Sequence, residues 1–302
     1  MADLLRHRPS GPRRLRALLA QAEPVLAPGA YDALSARLVE RAGFDVVYMT
    51  GFGTAASLLG RPDVGLLGLA EMVDNVRRIV HAVDVPVIAD ADTGYGNAIN
   101  VVRTVQEYEQ AGAAGLHIED QVLPKRCGHM SGKQVVPCAE MQAKIAAAVE
   151  ARRDPDLVII ARTDARAIEG VDAALERARR YHAAGADALF VEALEGVDEI
   201  ELVARELADV PLVFNWAEGG RTPPLPHERL TELGYAIVLM PISTVLVATR
   251  AIESALAEIR RAGTPLPVLD RMPTFDGFLD IIGLPEVRRL EERFGLPIPD
   301  DR

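Results

Sequence analysis

Residues 85–120 read VPVIADADTGYGNAINVVRTVQEYEQAGAAGLHIED, and they hold one complete unit of the fold. Val85 to Ala89 is an apolar run rich in β-branched residues, Ile99 to Gln110 carries apolar residues at helical spacing, and Gly115 to Ile118 is a second apolar run. Short apolar run, amphipathic stretch, short apolar run is the pattern of a βαβ unit. It recurs outward in both directions. Val25 to Pro28, Val46 to Met49, Leu157 to Ala161, Ala188 to Val191, Pro211 to Phe214 and Ala236 to Met240 complete a set of eight strand candidates. Helices are expected at Asp32 to Arg41, Leu69 to Val83, Ala139 to Arg152, Val171 to Ala184, Glu199 to Leu207, His227 to Leu233 and Ser243 to Arg261. Three of the helices end in the same way, at Arg41-Ala42-Gly43, Gln110-Ala111-Gly112 and Ala183-Ala184-Gly185, with Gly where a C-cap needs positive φ.

Eight strands each followed by a helix close most economically into an α/β fold of the (β/α)8 TIM-barrel type, which commonly takes about 250 residues. An open doubly wound sheet would offer a glycine-rich phosphate loop after its first strand, and Pro28-Gly29-Ala30-Tyr31 is not one. The chain divides into an N-terminal arm and helix (1–24), the barrel (25–263) and a C-terminal helical tail (264–302) with two short helical pieces near Phe275 to Ile282 and Pro285 to Phe294. An apolar tail outside a complete barrel has to bury itself, and a neighbouring subunit is a natural place, so an oligomer is expected.

With 302 residues, 49% hydrophobic and 25% charged, the composition is that of a globular protein with a large core. A formal net charge of -11 argues against nucleic acid and anionic membranes as partners. No stretch approaches the roughly 20 apolar residues that span a bilayer. Two cysteines, Cys127 and Cys138, are too few for a disulfide scaffold, and a reducing cytoplasm fits them. Arg6, Arg8, Arg13, Arg14 and Arg16 suggest targeting only superficially, because no apolar region follows before Pro24.

Active sites of such barrels lie at the C-terminal ends of the strands. Those ends are acidic here: Asp90 and Asp92 after the third, Glu119 and Asp120 after the fourth, Glu192 after the sixth. The fifth ends in Arg162-Thr163-Asp164, the seventh in Asn215-Trp216, and the second in Tyr48-Met49-Thr50-Gly51. Converging carboxylates repel by several kcal/mol unless a cation or a buried arginine offsets them. An all-oxygen set without a His or Cys cluster selects Mg2+ or Mn2+ over Zn2+. Taken singly, Asp90 or Asp92 could instead cap the next helix, and Asp164 could cap one or bond to Arg162. The segment from Asp120 to Pro137 is long for a βα loop and carries Lys125-Arg126-Cys127-Gly128-His129-Met130-Ser131-Gly132-Lys133, so it reads as a lid. Lys125, Arg126 and His129 around Cys127 are expected to favour its thiolate and lower its pKa. Cys138, His81 and His182 read as structural. No nucleophile triad and no dinucleotide fingerprint is present.

The phrase Lys125-Arg126-Cys127-Gly128-His129 resembles the signature loop of the isocitrate lyase and phosphoenolpyruvate mutase superfamily. The resemblance extends through Asp90-Ala91-Asp92-Thr93-Gly94-Tyr95-Gly96, Leu116-His117-Ile118-Glu119-Asp120-Gln121 and Ala161-Arg162-Thr163-Asp164-Ala165, in the family's order, over about Val25 to Gly263. The methylisocitrate lyase, dimethylmalate lyase and carboxyphosphonoenolpyruvate phosphonomutase branches are the most similar. The resemblance implies a (β/α)8 barrel, Mg2+, a small carboxylate substrate and a homotetramer that exchanges its last barrel helix between subunits. It implies Asp90 and Asp92 as metal carboxylates, with Asp63 and Glu119 holding metal-bound waters. Thr50, Gly51 and Phe52 fall where the family binds a substrate carboxylate; Arg162 neutralises that anion; Gly128, His129, Glu192 and Asn215 line the pocket. Cys127 would be the general acid and Tyr48 the candidate base.

Departures from that pattern bear on the substrate. Methylisocitrate lyases continue after the cysteine loop with Arg-Pro-Asn-Lys, where this chain has Met130-Ser131-Gly132-Lys133, and two substrate-binding arginines are replaced by Leu246 and Phe275. Phe52 stands where relatives tend to carry a small residue. The expectation is therefore a lyase for a smaller, more apolar 2-hydroxy dicarboxylate such as a substituted malate, with phosphonomutase and oxaloacetate decarboxylase as the alternatives.

Overall fold

The computed structural model describes Leu5 and residues 10–296. The eight apolar runs are eight parallel strands, β1 (Val25–Ala30), β2 (Val47–Met49), β3 (Val87–Asp90), β4 (Gly115–Glu119), β5 (Val158–Thr163), β6 (Ala188–Val191), β7 (Leu212–Asn215) and β8 (Tyr235–Met240). They form a closed barrel in sequence order, with β1 paired to β8. The helices are α1 (Gly11–Leu19), α2 (Ala33–Arg41), α3 (Gly51–Leu59), α4 (Leu69–Ala82), α5 (Ala98–Gln110), α6 (Cys138–Ala151), α7 (Arg166–Glu169), α8 (Val171–Ala183), α9 (Val197–Glu206), α10 (His227–Glu232), α11 (Ser243–Ala262), α12 (Phe275–Ile281) and α13 (Leu284–Arg293).

Alternation along each strand decides what enters the barrel. Val46, Ile88, Ile160, Phe190 and Val213 belong to the inner apolar cluster with Leu239. Two residues further along stand Tyr48, Asp90, Arg162, Glu192 and Asn215, all of which line one cavity at the C-terminal mouth. One face thus supplies an apolar floor and a polar top. The other face packs Met49, Val87, Leu116, Ile159 and Leu189 against the helices in a second cluster. The opposite mouth is plugged by α1, whose Leu15 is fully buried in the inner cluster. Arg16 ties α1 down by donating to the Asp156 carbonyl at 2.9 Å and to Asp187 Oδ1 at 2.9 Å.

Two elements escape the periodicity reading. Helix α3 follows β2 directly, with Thr50 as N-cap accepting from the Gly53 N–H at 3.2 Å. Gly51 and Gly53 in its first turn lower its helix propensity and hide it in the sequence. Both glycines are required by close approach: a Cβ on Gly51 would strike the Asp90 carboxylate, and one on Gly53 would lie 2.9 Å from Tyr31 Cβ. The other is the four-residue α7, too short to show a period.

Helix α11 is 20 residues long and none of them is buried. Val247, Ile252 and Leu256 are exposed on it. A 3-10 turn (Leu266–Arg271), α12 and α13 follow. Among the described residues no helix is long and apolar enough to cross a membrane.

Candidate active site

The cavity at the barrel mouth encloses about 250 Å³. One wall is acidic. Asp90 Oδ2 accepts from the Gly51 N–H at 3.2 Å and Oδ1 from the Asp92 N–H at 2.9 Å. Asp90 stays low in pKa although burial opposes it, because His117, Lys125 and Arg162 surround it. Asp92 sits in the left-handed region at φ 47°, and burial, with Asp90 and Asp63 nearby, pushes its carboxyl up to about 6 despite Lys125. Burial also lifts Glu119 well above the ordinary glutamate value. Neither Asp90 nor Asp92 caps a helix: Asn97 caps α5.

The cation in this wall is Lys125. Its buried ammonium donates to Asp63 Oδ2 at 2.7 Å and lies 2.7 Å from Asp92 Oδ1, the second contact being ionic rather than a well-aligned hydrogen bond. Burial would depress it, yet Asp92, Asp90, Asp63 and Glu119 hold it well above the usual lysine value. The sequence had marked Lys125 only as a neighbour of Cys127. On the next wall Arg162 grips Asp164 with Nε at 2.9 Å and Nη2 at 3.1 Å, and lies 3.3 Å from both Glu119 Oε2 and Glu192 Oε2. Of the two readings of Asp164, the bond to Arg162 holds, and α7 has no side-chain cap.

Six buried acids, Asp63, Asp90, Asp92, Glu119, Asp164 and Glu192, face three buried bases, Lys125, Lys133 and Arg162. Glu119 Oε1 has no hydrogen-bond partner, whereas Asp92 Oδ1 rests against the Lys125 ammonium. This surplus of negative charge with an unsatisfied hard oxygen fits a divalent cation. Among the described residues no group of three His, Cys, Asp or Glu side chains is placed to hold a metal ion on its own.

The lid is residues 120–137. Its base is a short antiparallel pairing, with Val122 N–H donating to the Gln134 carbonyl at 2.8 Å and Val136 N–H to the Asp120 carbonyl at 2.8 Å. Lys133 returns from the far end to donate to Asp164 Oδ1 at 2.6 Å and to the Gly128 carbonyl. Cys127, Gly128, His129 and Met130 then face into the cavity. Gly128 has no room for a side chain, since a Cβ would lie 2.6 Å from Glu192 Cγ. His129 Nδ1 accepts from the Arg221 N–H at 3.1 Å, so Nε2 carries the ring hydrogen and faces Glu192 Oε1 at 3.6 Å.

The expectation of a lowered Cys127 pKa is overturned. Burial, followed by Asp63 and Glu192, pushes the thiol up, against the His129 N–H and Arg162. The basic neighbours named by the sequence point elsewhere: Lys125 is consumed by the acids, and His129 faces Glu192.

Of the residues singled out in the sequence, Tyr48, Thr50, Phe52, Asp63, Asp90, Arg162, Glu192 and Asn215 line the cavity. Gly51 is buried behind Asp90 with its N–H engaged there. Glu119 is buried against Arg162, and Asp92 against Lys125. Leu246 and Phe275 do not line the cavity: Leu246 edges an apolar groove along α11 and Phe275 is 77% exposed. The sequence reading missed the roles of Lys133, His117 and Arg221, and it missed Glu218, which lines the cavity after β7. His117 is fully buried with Nε2 2.8 Å from Tyr48 Oη. Position two residues before Glu119 on the inward face was the available signal for it.

The phosphoenolpyruvate phosphomutase family profile matches residues 15–260. A 2,3-dimethylmalate lyase of Eubacterium barkeri is 49% identical over 281 residues, covering 93% of this chain and 97% of that one. A 2-methylisocitrate lyase of Aeropyrum pernix is 46% identical over 269 residues, covering 89% and 86%. The solved structure of a 2,3-dimethylmalate lyase from the PEP mutase/isocitrate lyase superfamily superposes with a TM-score of 0.91 at 38% identity, over 96% of this chain and 97% of that one. A phosphonopyruvate hydrolase in complex with oxalate and Mg2+ does so at 0.87 and 33%, over 95% and 99%. With the barrel, the acidic wall and the cysteine lid in place, the chain belongs to the phosphoenolpyruvate phosphomutase family and is an enzyme of the isocitrate lyase/phosphoenolpyruvate mutase superfamily.

Proposed function

We propose that the protein is a Mg2+-dependent lyase that cleaves a carbon-carbon bond of a substituted malate, releasing an α-oxo acid and a carboxylate. The observation that carries this reading is the shared cavity: the Cys127 lid, Tyr48, Asp63, Asp90 and Glu192 all face the same small space. Asp90 and Asp92, with Asp63 and Glu119 through water, would hold Mg2+ or Mn2+, which when bound supplies Lewis-acid charge and a template for an anionic substrate.

Removing the substrate hydroxyl proton starts the cleavage. Tyr48 is a neutral phenol, because burial and Asp90 raise its pKa well above 10. Its Oη lies 2.8 Å from His117 Nε2, so Tyr48 can take the substrate proton only in a concerted shift in which its own proton moves to His117 as the substrate proton arrives. As the bond breaks, its electron pair moves onto the carbon beside the departing carboxylate, and the Cys127 thiol protonates that carbon. A raised thiol pKa keeps this acid loaded at neutral pH. The N-terminus of α3 at Thr50 and Phe52, with Arg162, favours the substrate's carboxylates. Phe52, Phe190, Leu239, Pro241 and Ile242 make part of the cavity apolar, which suits alkyl substituents.

Support for an exchanged barrel helix in a homotetramer comes from α11, which buries none of its own residues. Both cysteines are free, in keeping with a reducing cytoplasm. The test is a panel of 2-alkylmalates, methylisocitrate, isocitrate and oxaloacetate with Mg2+, read by α-oxo acid release. Carbon-phosphorus bond formation seen by phosphorus NMR with enolpyruvate phosphates would replace the lyase reading with the phosphonomutase one.

A further inference from the structure

The lid carrying Cys127 is held at two places of different character. At its far end Lys133 is buried, and its bond to Asp164 ties the lid to the network around Arg162. Across the mouth the partner is Arg221, from the loop that follows β7. Its Nε donates to the His129 carbonyl at 3.4 Å and its Nη2 to Ser131 Oγ at 3.1 Å. Its Nη1 donates to Glu195 Oε1 at 3.0 Å, and Arg166 Nη1 holds the same oxygen at 2.7 Å. Arg166 is itself fixed by a two-point bond to Glu199 at the start of α9. The guanidinium thus bridges the lid to α7 and α9 through Glu195, Arg166 and Glu199. Gly220 beside it leaves room for the His129 ring, since a Cβ there would lie 2.8 Å from His129 Cε1.

We propose that Arg221 is a positioning residue for the reaction: the releasable latch that holds the Cys127 lid over the cavity, with Lys133 as the permanent pin. The chemistry of the two contacts sets this division. Lys133 and Asp164 are 2% and 0% exposed, so salt screens them little, whereas Arg221 and Glu195 are 38% and 41% exposed. An exposed ion pair with two lid hydrogen bonds is strong enough to bias closure and weak enough to open on each turnover. This inference rests on the lyase reading only for the meaning of closure; the latch itself is testable without a substrate.

The test is the rate of iodoacetamide alkylation at each cysteine, read by mass spectrometry. Cys138, outside the lid at the start of α6, is the internal control. Arg221→Ala is expected to speed modification of Cys127 about tenfold, the loss of roughly two net hydrogen bonds, with Cys138 unchanged. Glu195→Gln gives a smaller increase. In the unsubstituted protein the Cys127 rate rises between about 0.05 and 1 M salt, and Arg221→Ala removes that salt dependence. An unchanged Cys127 rate in Arg221→Ala, or equal acceleration at both cysteines, overturns the latch. Failure of every carboxylate substrate in the unsubstituted protein would sink the lyase reading and leave this result standing.

Discussion

Gly128→Ala isolates the contact between lid and floor. Its φ lies outside the left-handed region, so the added methyl brings no backbone strain and acts through space alone. That methyl would lie 2.6 Å from Glu192 Cγ and 2.7 Å from Cδ, and it would strike Arg162 Nη2 as well. Neither neighbour can retreat. Glu192 accepts from Asn215 at 3.0 Å and from the Ala193 N–H at 2.8 Å, and Arg162 is gripped by Asp164. The lid therefore has to lift by about 1 Å, an overpacking cost of about 1–3 kcal/mol. Charged against closure, this lowers kcat/KM by about 5- to 150-fold. The global fold is untouched, because the lid contributes little to the core clusters, so Tm should move by no more than a few degrees. The assay pairs kcat/KM on the best alkylmalate with Cys127 alkylation, which should accelerate. A variant that keeps kcat/KM within about twofold and alkylates at the original rate would refute the closed-lid geometry.

Cys127→Ser should lower kcat by about 10²- to 10⁴-fold with KM little changed, as measured by steady-state kinetics. Because burial raises the thiol pKa above the ordinary cysteine value, the high-pH loss of activity assigned to it should fall above the range of an ordinary thiol; a limb near neutrality would show that the thiol is not the acid. Asp92, raised to about 6, holds its proton below that pH in the metal-free protein, so metal must displace a proton there. Mg2+ should accordingly raise Tm more at pH above about 6 than below it, a difference that calorimetry can read. Lys125→Met leaves Asp63 and Asp92 without their buried cation and should destabilise the metal-free protein by about 3–5 kcal/mol. Added Mg2+ should recover part of that loss in a urea titration.

The barrel itself was legible in the sequence because its two periods are local: alternation fills the strands and helical spacing fills the covering helices. All eight strands fall within a few residues of the apolar runs. The site was legible in outline for the same reason, since a residue at a strand's C-terminal end on the inward face has nowhere to go but the mouth. Tyr48, Asp90, Arg162, Glu192 and Asn215 are of that kind. Helix α3 was not legible, because glycines chosen for contact with Asp90 and Tyr31 erase helix propensity.

What only the tertiary structure decided is which charges meet. Sequence proximity placed Lys125 and His129 beside Cys127 and predicted an acidic thiol. In the folded chain Lys125 turns to Asp63 and Asp92 and His129 to Glu192, and burial governs the thiol instead. Lys133 and Arg221 are ordinary polar residues until folding brings them to Asp164 and the lid, 31 and 90 positions away in sequence. Electrostatic energy depends on separation through space and on exclusion of water, and neither quantity is written in the order of residues.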